Sequence, residues 1–378
     1  MARIWSVEGL LFTDESLIPI WGKVMSGVRL SSDDGLCLFK TPDIAAVGQM
    51  GNYVKTRVSG DEVFFVINRQ INPTNLCANS CKFCDFSRKR GDPDAYEMTI
   101  EEILESLDDG IREIHIVGGH HPDWPFEYYE SMVDVIHKNF PHAHIKGFTA
   151  SEIDYFERRW GISPDKSLQR LKAAGLASMP GGGAEIFSPR LQESLFPDKA
   201  GAQRWLDIHQ MAHSLGISSN CTMLYGHIET LEERVHHLIT LRDQQDKTGG
   251  FLCFVPLQYQ LGKTRLVEKA CSPMENLRTI AVSRLMLDNI PHIKSYWVVL
   301  GEETAGIALN FGADDIDGTI GRERIAHAAD ASSPIGLARE RVLRLIHDAW
   351  KVPVERDALY DPIIPDYPKG SQLPAGPC

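Results

Sequence analysis

The chain has little clustered basic charge, no long apolar run and no paired-cysteine framework, and each lack removes a class of function. Its 378 residues carry 39 Lys and Arg against 51 Asp and Glu, a net charge of −12, and the basic block "RKR" at 88–90 is short. Nucleic acid is therefore not an expected partner, because nothing supplies the electrostatic footprint. No apolar stretch approaches the roughly 20 residues that cross a bilayer, so no membrane partner is expected either. The start, "MARIWSVEGLLF", has none of the charged, apolar and small-residue segments of a secretory leader. A cytoplasmic location is the expectation. Cys37, Cys221, Cys253, Cys271 and Cys378 are scattered singly, which does not suit a disulfide scaffold. Internal repeats and low-complexity segments are also missing.

What is present is an ordinary globular composition, 43% hydrophobic and 24% charged, with a regular alternation of strand-like and helix-like stretches. Residues 1–60 carry helical patterning without strand signals, with Ser32 or Asp33 as a helix cap and Pro42 near the start of a second helix. From Val63 onward eight short strands are expected, at 63–71, 113–119, 144–150, 176–182, 218–226, 251–259, 293–301 and 307–314. Between them lie amphipathic stretches such as "TIEEILESLDDGI" and "EYYESMVDVIHKNF". This pattern predicts an α/β fold, a (β/α)8 barrel of TIM type, complete or partly open, over residues 61–320. A helical extension precedes it at 1–60, and a C-terminal helical extension with a loose tail, "PDYPKGSQLPAGPC", follows at 321–378. Function in such barrels collects at the C-terminal ends of the strands.

Directly after the first expected strand comes "INPTNLCANSCKFCDFSRKR", in which Cys77, Cys81 and Cys84 form C-x3-C-x2-C. A structural zinc site usually wants four ligands, and the next histidine is His115, a whole βα unit away. Three incidental buried thiols do not suit a polar loop. A 4Fe-4S cluster on three thiolates leaves one iron without a protein ligand, and that iron can chelate the amino and carboxylate groups of S-adenosylmethionine. Phe83 and Phe86 would give such a cluster an apolar jacket.

The motif C-x3-C-x-aromatic-C after the first strand resembles that of the radical S-adenosylmethionine superfamily. "NRQINPTNLCANSCKFCDFSR", "MPGGGAEIF", "CTMLYGHIETLEERVHHLITLRDQQDKTGGF" and "LRTIAVSRLMLDNIPHIKSYWVVLG" resemble the aminodeoxyfutalosine synthases of the futalosine route to menaquinone. Sibling families are the dehypoxanthine futalosine cyclases and the FO synthases. The resemblance implies a 5′-deoxyadenosyl radical adding to the carboxyvinyl ether of 3-hydroxybenzoate, then rearrangement and loss of a carboxylate. It also implies an external one-electron reductant of flavodoxin or ferredoxin type. The competing reading from another class is an iron–sulfur or zinc protein that only binds or transfers electrons.

Site residues follow from the same comparison. Cys77, Cys81 and Cys84 would hold the cluster. Gly118 and Gly119 end the second strand where the superfamily often has Gly-Gly-Glu, with His120 in place of the Glu. Phe83, Glu185 and Gly226 are further cofactor contacts, and Lys199 or Arg204 would pair with the methionyl carboxylate. Glu229 suits either the adenine end or the start of its helix. For the substrate, His120, His121 and His227 are the favoured catalytic residues, as strand-end positions face a barrel's mouth. Arg278, Arg284 and Lys294 are the other cations considered. Cys221 is expected to be a packed thiol. "FGADDIDGT", with Asp314, Asp315 and Asp317, fails the EF-hand spacing and is expected to be a turn after the eighth strand.

Overall fold

The computed structural model describes residues 4–363. It opens on a hairpin, β1 (Trp5–Val7) against β2 (Leu10–Phe12), turned by Glu8 and Gly9, both at positive φ. The expectation of a purely helical extension is thus corrected. Each strand has only three residues, too few for alternation to register, and the turn is of the primed kind that hairpins favour. Helices α1 (Leu17–Met25), α2 (Ser32–Lys40) and α3 (Ile44–Ser59) follow. The cap of α2 is Ser31, one residue before the expected one. Its hydroxyl accepts the Asp34 N–H, and Asp34 accepts the Ser31 N–H at 2.8 Å. Asp43, just after Pro42, caps α3.

The barrel strands are β3 (Glu62–Val66), β4 (Asn68–Ile71), β5 (Glu113–Ile116), β6 (His144–Gly147), β7 (Leu176–Met179), β8 (Ser218–Tyr225), β9 (Phe251–Gln258), β10 (His292–Ile293) and β11 (Asp315–Gly318). Seven of them make a parallel sheet in the order β10-β9-β8-β7-β6-β5-β4. β3 and β4 are successive halves of the first expected strand, separated by Ile67. β3 pairs in parallel with β11, and Lys294 bridges to Asp315, so the pairing runs on from β10 to β11 and back to the first strand. Eight parallel strand positions close the circuit.

Two strand expectations need correcting. Residues 307–314 are not the eighth strand: they complete the helix Glu302–Ala308 and turn through Gly312, at φ +113. The eighth strand is β11, inside the acidic segment expected to be a turn. It escapes a search for β-branched runs because Asp315 and Asp317 are its inward residues and find cations there. The seventh strand is also shorter than expected, since the chain leaves β10 for the short helix Trp297–Leu300.

The C-terminal segment is part of the barrel rather than an appendage. After the helix Arg339–Asp348, β12 (Val352–Glu355) pairs in parallel with β3, Val352 opposite Glu62 and Glu355 opposite Phe65. It lies along the lower half of the first strand, as β5 lies along the upper half, where Asn68 faces Glu113. The proposed loose tail at 365–378 lies outside the described residues. Helices such as Phe126–Asn139 cover the outside, presenting Tyr129, Met132, Val133 and Ile136 at three- and four-residue spacing. Along β5 the apolar Ile114 and Ile116 meet that shell, while Glu113 and His115 point inward.

Candidate active site

A cavity of about 340 Å³ opens at the C-terminal ends of the strands, lined by the cysteine loop, Gly118, His120, the 180–183 turn, Glu185 and Lys199. The cysteine loop is held there by its own backbone contacts. The Lys89 ammonium donates to the carbonyls of Cys77 at 2.8 Å and Asn79 at 2.9 Å. The Cys77 N–H donates to the Arg88 carbonyl, and the Ala78 N–H to that of His120. From the far side of the barrel, the backbone N–H of Lys263 donates to Asp85 at 3.1 Å. These contacts fix the loop at the rim of the cavity.

The strand-end glycines explain why it sits so close. A Cβ on Gly119 would lie 2.2 Å from the Leu76 carbonyl oxygen, and one on Gly118 would lie 3.0 Å from that of Thr74. Only glycine lets the two backbones meet. In the 180–183 turn, a Cβ on Gly181 would strike the Cys221 backbone at 2.5 Å.

The three thiols differ in setting. Burial raises the Cys77 thiol, although the His120 N–H, 3.4 Å from its sulfur, opposes that shift. Burial pushes Cys81 up to about 12. Phe83 packs edge-on to Phe196, with the Lys199 ammonium 5.3 Å above its ring. Phe86 is buried against Tyr96. Lys199 pairs with Glu185 at 2.5 Å; burial lowers it, but Glu185 and Cys81 outweigh burial and hold it above its usual value.

Of the three histidines favoured as catalytic, the cavity receives one. His120 lines it, and burial lowers its pKa to about 3, so the ring is neutral. Its Nδ1 accepts from Asn79 Nδ2 at 3.0 Å, which leaves the ring proton on Nε2. His121 is taken up elsewhere: Nε2 meets Glu97 at 2.7 Å, Nδ1 accepts from the Asp123 and Trp124 N–H groups, and the ring stacks on Trp124. His227 is tied to its own loop, with Nε2 on the Leu224 carbonyl and Nδ1 beside Glu229.

Glu229 itself is a buckle. It accepts from the N–H groups of Gly226 and His227 and pairs with Arg234 at 2.7 Å. Gly226, at φ +87, turns the chain there with its Cα against Cys271. Arg204 lies in a neighbouring hollow, its guanidinium on Asp154 and Glu157. Arg278 donates to the Leu38 carbonyl, and Arg284 joins Asp314 inside the helical shell at 2.6 Å. Lys294 does reach the cavity. Cys221 is fully buried, its thiol directed at the Cys253 carbonyl.

Sequence reasoning missed several cavity residues: Gln70, His115, Lys146, Glu152 and Asn220. The available signal was a polar residue every second position inside expected strands, as in Lys146 of "HIKGFTA". Glu152 closes the capping box of the helix Ala150–Trp160, accepting the Thr149 N–H at 2.7 Å. Burial raises its carboxyl to about 7.

Comparison with known proteins settles the family. Residues 71–241 match the model of the radical SAM superfamily, and residues 248–366 match the CofH/MqnC C-terminal region. The chain belongs to the radical SAM superfamily. It is 44% identical over 356 residues to an aminodeoxyfutalosine synthase from Thermus thermophilus, covering 92% of this chain and 96% of that one. It is also 40% identical to a 5-amino-6-(D-ribitylamino)uracil–L-tyrosine 4-hydroxyphenyl transferase from Methanopyrus kandleri, covering 82% of this chain and 86% of that one. In structure it is similar to methylornithine synthase, with a TM-score of 0.72 at 17% identity, over 88% of this chain and 97% of that chain. This last likeness concerns the fold.

A radical SAM enzyme implies a 4Fe-4S cluster and S-adenosylmethionine, and the residues present fit both. Among the described residues no trio of His, Cys, Asp or Glu converges as a single ion requires. A four-iron cluster binds each thiolate on a different iron, and Cys84 lines the cavity from the same short loop that carries Cys77 and Cys81. The His120 N–H on the Cys77 sulfur and the Phe83 and Phe86 rings supply the hydrogen bond and apolar cover that tune such clusters.

Proposed function

We propose that this chain converts the carboxyvinyl ether of 3-hydroxybenzoate and S-adenosylmethionine into aminodeoxyfutalosine, with methionine released and one carboxylate lost. When bound and given one electron by an external donor, the cluster and S-adenosylmethionine would supply the radical chemistry that joins the 5′-deoxyadenosyl group to the vinyl carbon. Cys77, Cys81 and Cys84 hold the cluster. Lys199 pairs with the methionyl carboxylate, Glu185 accepts from the ammonium or ribose, and Gly118 lets the backbone approach. His120, neutral with a proton on Nε2, is a hydrogen-bond donor beside the reacting atoms. A small one-electron donor of flavodoxin or ferredoxin type completes the system.

One observation carries this reading. The cofactor-end groups and a polar barrel interior share a single cavity, so an adenosyl fragment bound at the rim and an aryl acid bound below it would be neighbours. The similarity to aminodeoxyfutalosine synthase, at 44% identity over nearly its whole length, supports the choice of acid. No helix among the described residues is long and apolar enough to cross a membrane.

The test is anaerobic. The cluster is reconstituted and reduced with dithionite, S-adenosylmethionine and the vinyl ether are added, and adenine-containing products are identified by mass spectrometry. An adenosyl–benzoate adduct lacking one carboxylate is the expected product. Free 5′-deoxyadenosine alone would leave the radical enzyme and remove this substrate.

A further inference from the structure

Barrel interiors of this type are ordinarily filled by branched aliphatic side chains. Here the inward positions below the rim carry Gln70, His115, Lys146, Asn220, Lys294 and Asp317, all of which line the cavity. Buried charge is expensive unless it is paired or used. Lys146 and Lys294 are almost wholly buried, with relative exposures of 4% and 2%.

Their pairing leaves donors over. Lys146 donates to Glu113 at 2.6 Å, one bond from an ammonium that has three protons. Lys294 stands 3.2 Å from Asp317 and 3.8 Å from Asp315. Burial would lower its pKa, but these two aspartates outweigh it and keep the ammonium charged. His115 is half-buried, and its Nε2 is shielded from solvent and has no hydrogen-bond partner among the described residues. Arg356, in contrast, is closed off below by Asp315, with Nε at 2.8 Å and Nη2 at 2.7 Å.

We propose that Lys146, Lys294 and His115 form an anion subsite on the floor of the cavity, which takes the ring carboxylate of an aryl substrate. Three cations, Lys146, Lys294 and Arg356, face three acids, Glu113, Asp315 and Asp317, so no excess of positive charge draws the ligand in. The attraction is local. Spare ammonium N–H groups make charge-assisted bonds to a carboxylate that are about twice as strong as those to a neutral acceptor. His115 and Lys146 are in register on β5 and β6, and His115 is three residues before Gly118. At about 3.3 Å per residue the subsite lies roughly 10 Å below the rim along the strand. An aryl carboxylate fixed there can turn its meta substituent, the vinyl ether, back towards the cofactor groups. The proposal rests on the aryl acid reading above, and it names the residues that recognise the acid.

The probe pair is 3-hydroxybenzoate and 3-hydroxybenzamide, bound to the reconstituted holoenzyme with S-adenosylmethionine present and followed by anaerobic calorimetry. The wild-type protein is expected to prefer the acid by about tenfold or more. Lys294→Met and Lys146→Met should each lose most of that preference while binding S-adenosylmethionine with unchanged affinity. Lys146→Met leaves Glu113 short of a partner and risks misfolding, so the comparison of acid and amide on unmodified protein stands as the independent measurement. Equal binding of acid and amide by the wild type overturns the subsite, as does a preference undiminished in both variants. A clear preference for the acid in a protein that forms no adduct with the vinyl ether keeps the subsite and removes the substrate proposed above.

Discussion

The rim of the cavity and its floor are built by opposite means. At the rim, three cysteines and two glycines lie within short stretches of chain, and backbone contacts as tight as that of Gly119 on Leu76 set their positions. On the floor, His115, Lys146 and Asp317 come from β5, β6 and β11 and Lys294 from just after β10, spread over two hundred residues, and ion pairs between neighbouring strands hold the charged ones. Local chemistry is written as a motif. Chemistry assembled by register is written only as the parity of a position in a strand.

The largest expected effect breaks the rim alone. Cys84→Ser should abolish adduct formation and the cluster's iron and sulfide content, while the melting temperature of the protein stays near that of the cluster-free wild type. Next in size is a break beneath the floor. Arg356→Met leaves Asp315 buried without its bidentate partner, which should destabilise the fold by about 3–5 kcal/mol in denaturant titrations. Cluster content per folded molecule should not change, and a fall there would mean that the two regions are not independent.

Gly119→Ala tests the rim's backbone contact. Its Cβ would collide with the Leu76 carbonyl, so the cysteine loop must shift, at about 1–3 kcal/mol. Iron content after reconstitution should fall with it. Lys199→Met should weaken S-adenosylmethionine binding by about tenfold, read by equilibrium dialysis, because the cation proposed to face the methionyl carboxylate, which also pairs with Glu185, is gone. Unchanged affinity would assign Lys199 to the Glu185 pair alone.

The contrast also explains what was legible in the sequence. The barrel, its first six strands and the cysteine loop were, because β-branched runs, helical spacing and C-x3-C-x2-C are all local patterns. β11 was not, since a strand whose inward residues are Asp315 and Asp317 looks like a turn until Lys294 and Arg356 are known to face it. Nor was β12, which completes the sheet from the far end of the chain. Of the histidines, His120 reached the cavity, whereas His121 and His227 are occupied by Glu97 and by the loop of Glu229. Being at a strand end was not enough, because neighbouring acids decide which way an imidazole turns.

Glu152 belongs to both regions, since it caps a helix at the rim and lines the cavity. Burial raises its carboxyl from the ordinary 4.5 to about 7, with hydrogen bonds from Thr149 only partly offsetting burial. A carboxyl whose pKa is higher folded than unfolded binds its proton more tightly when folded. Its contribution to stability is therefore complete below about pH 4.5 and is lost as pH rises through 7. Measured against Glu152→Gln, wild-type stability should fall by about 1 kcal/mol between about pH 5.5 and 6.5. A cationic group bound beside Glu152 favours the carboxylate and should flatten that slope. Saturating S-adenosylmethionine, which carries an ammonium, therefore distinguishes two roles for this carboxyl. If the slope persists with ligand bound, Glu152 is only a helix cap; if it vanishes, the carboxylate faces the ligand's positive end.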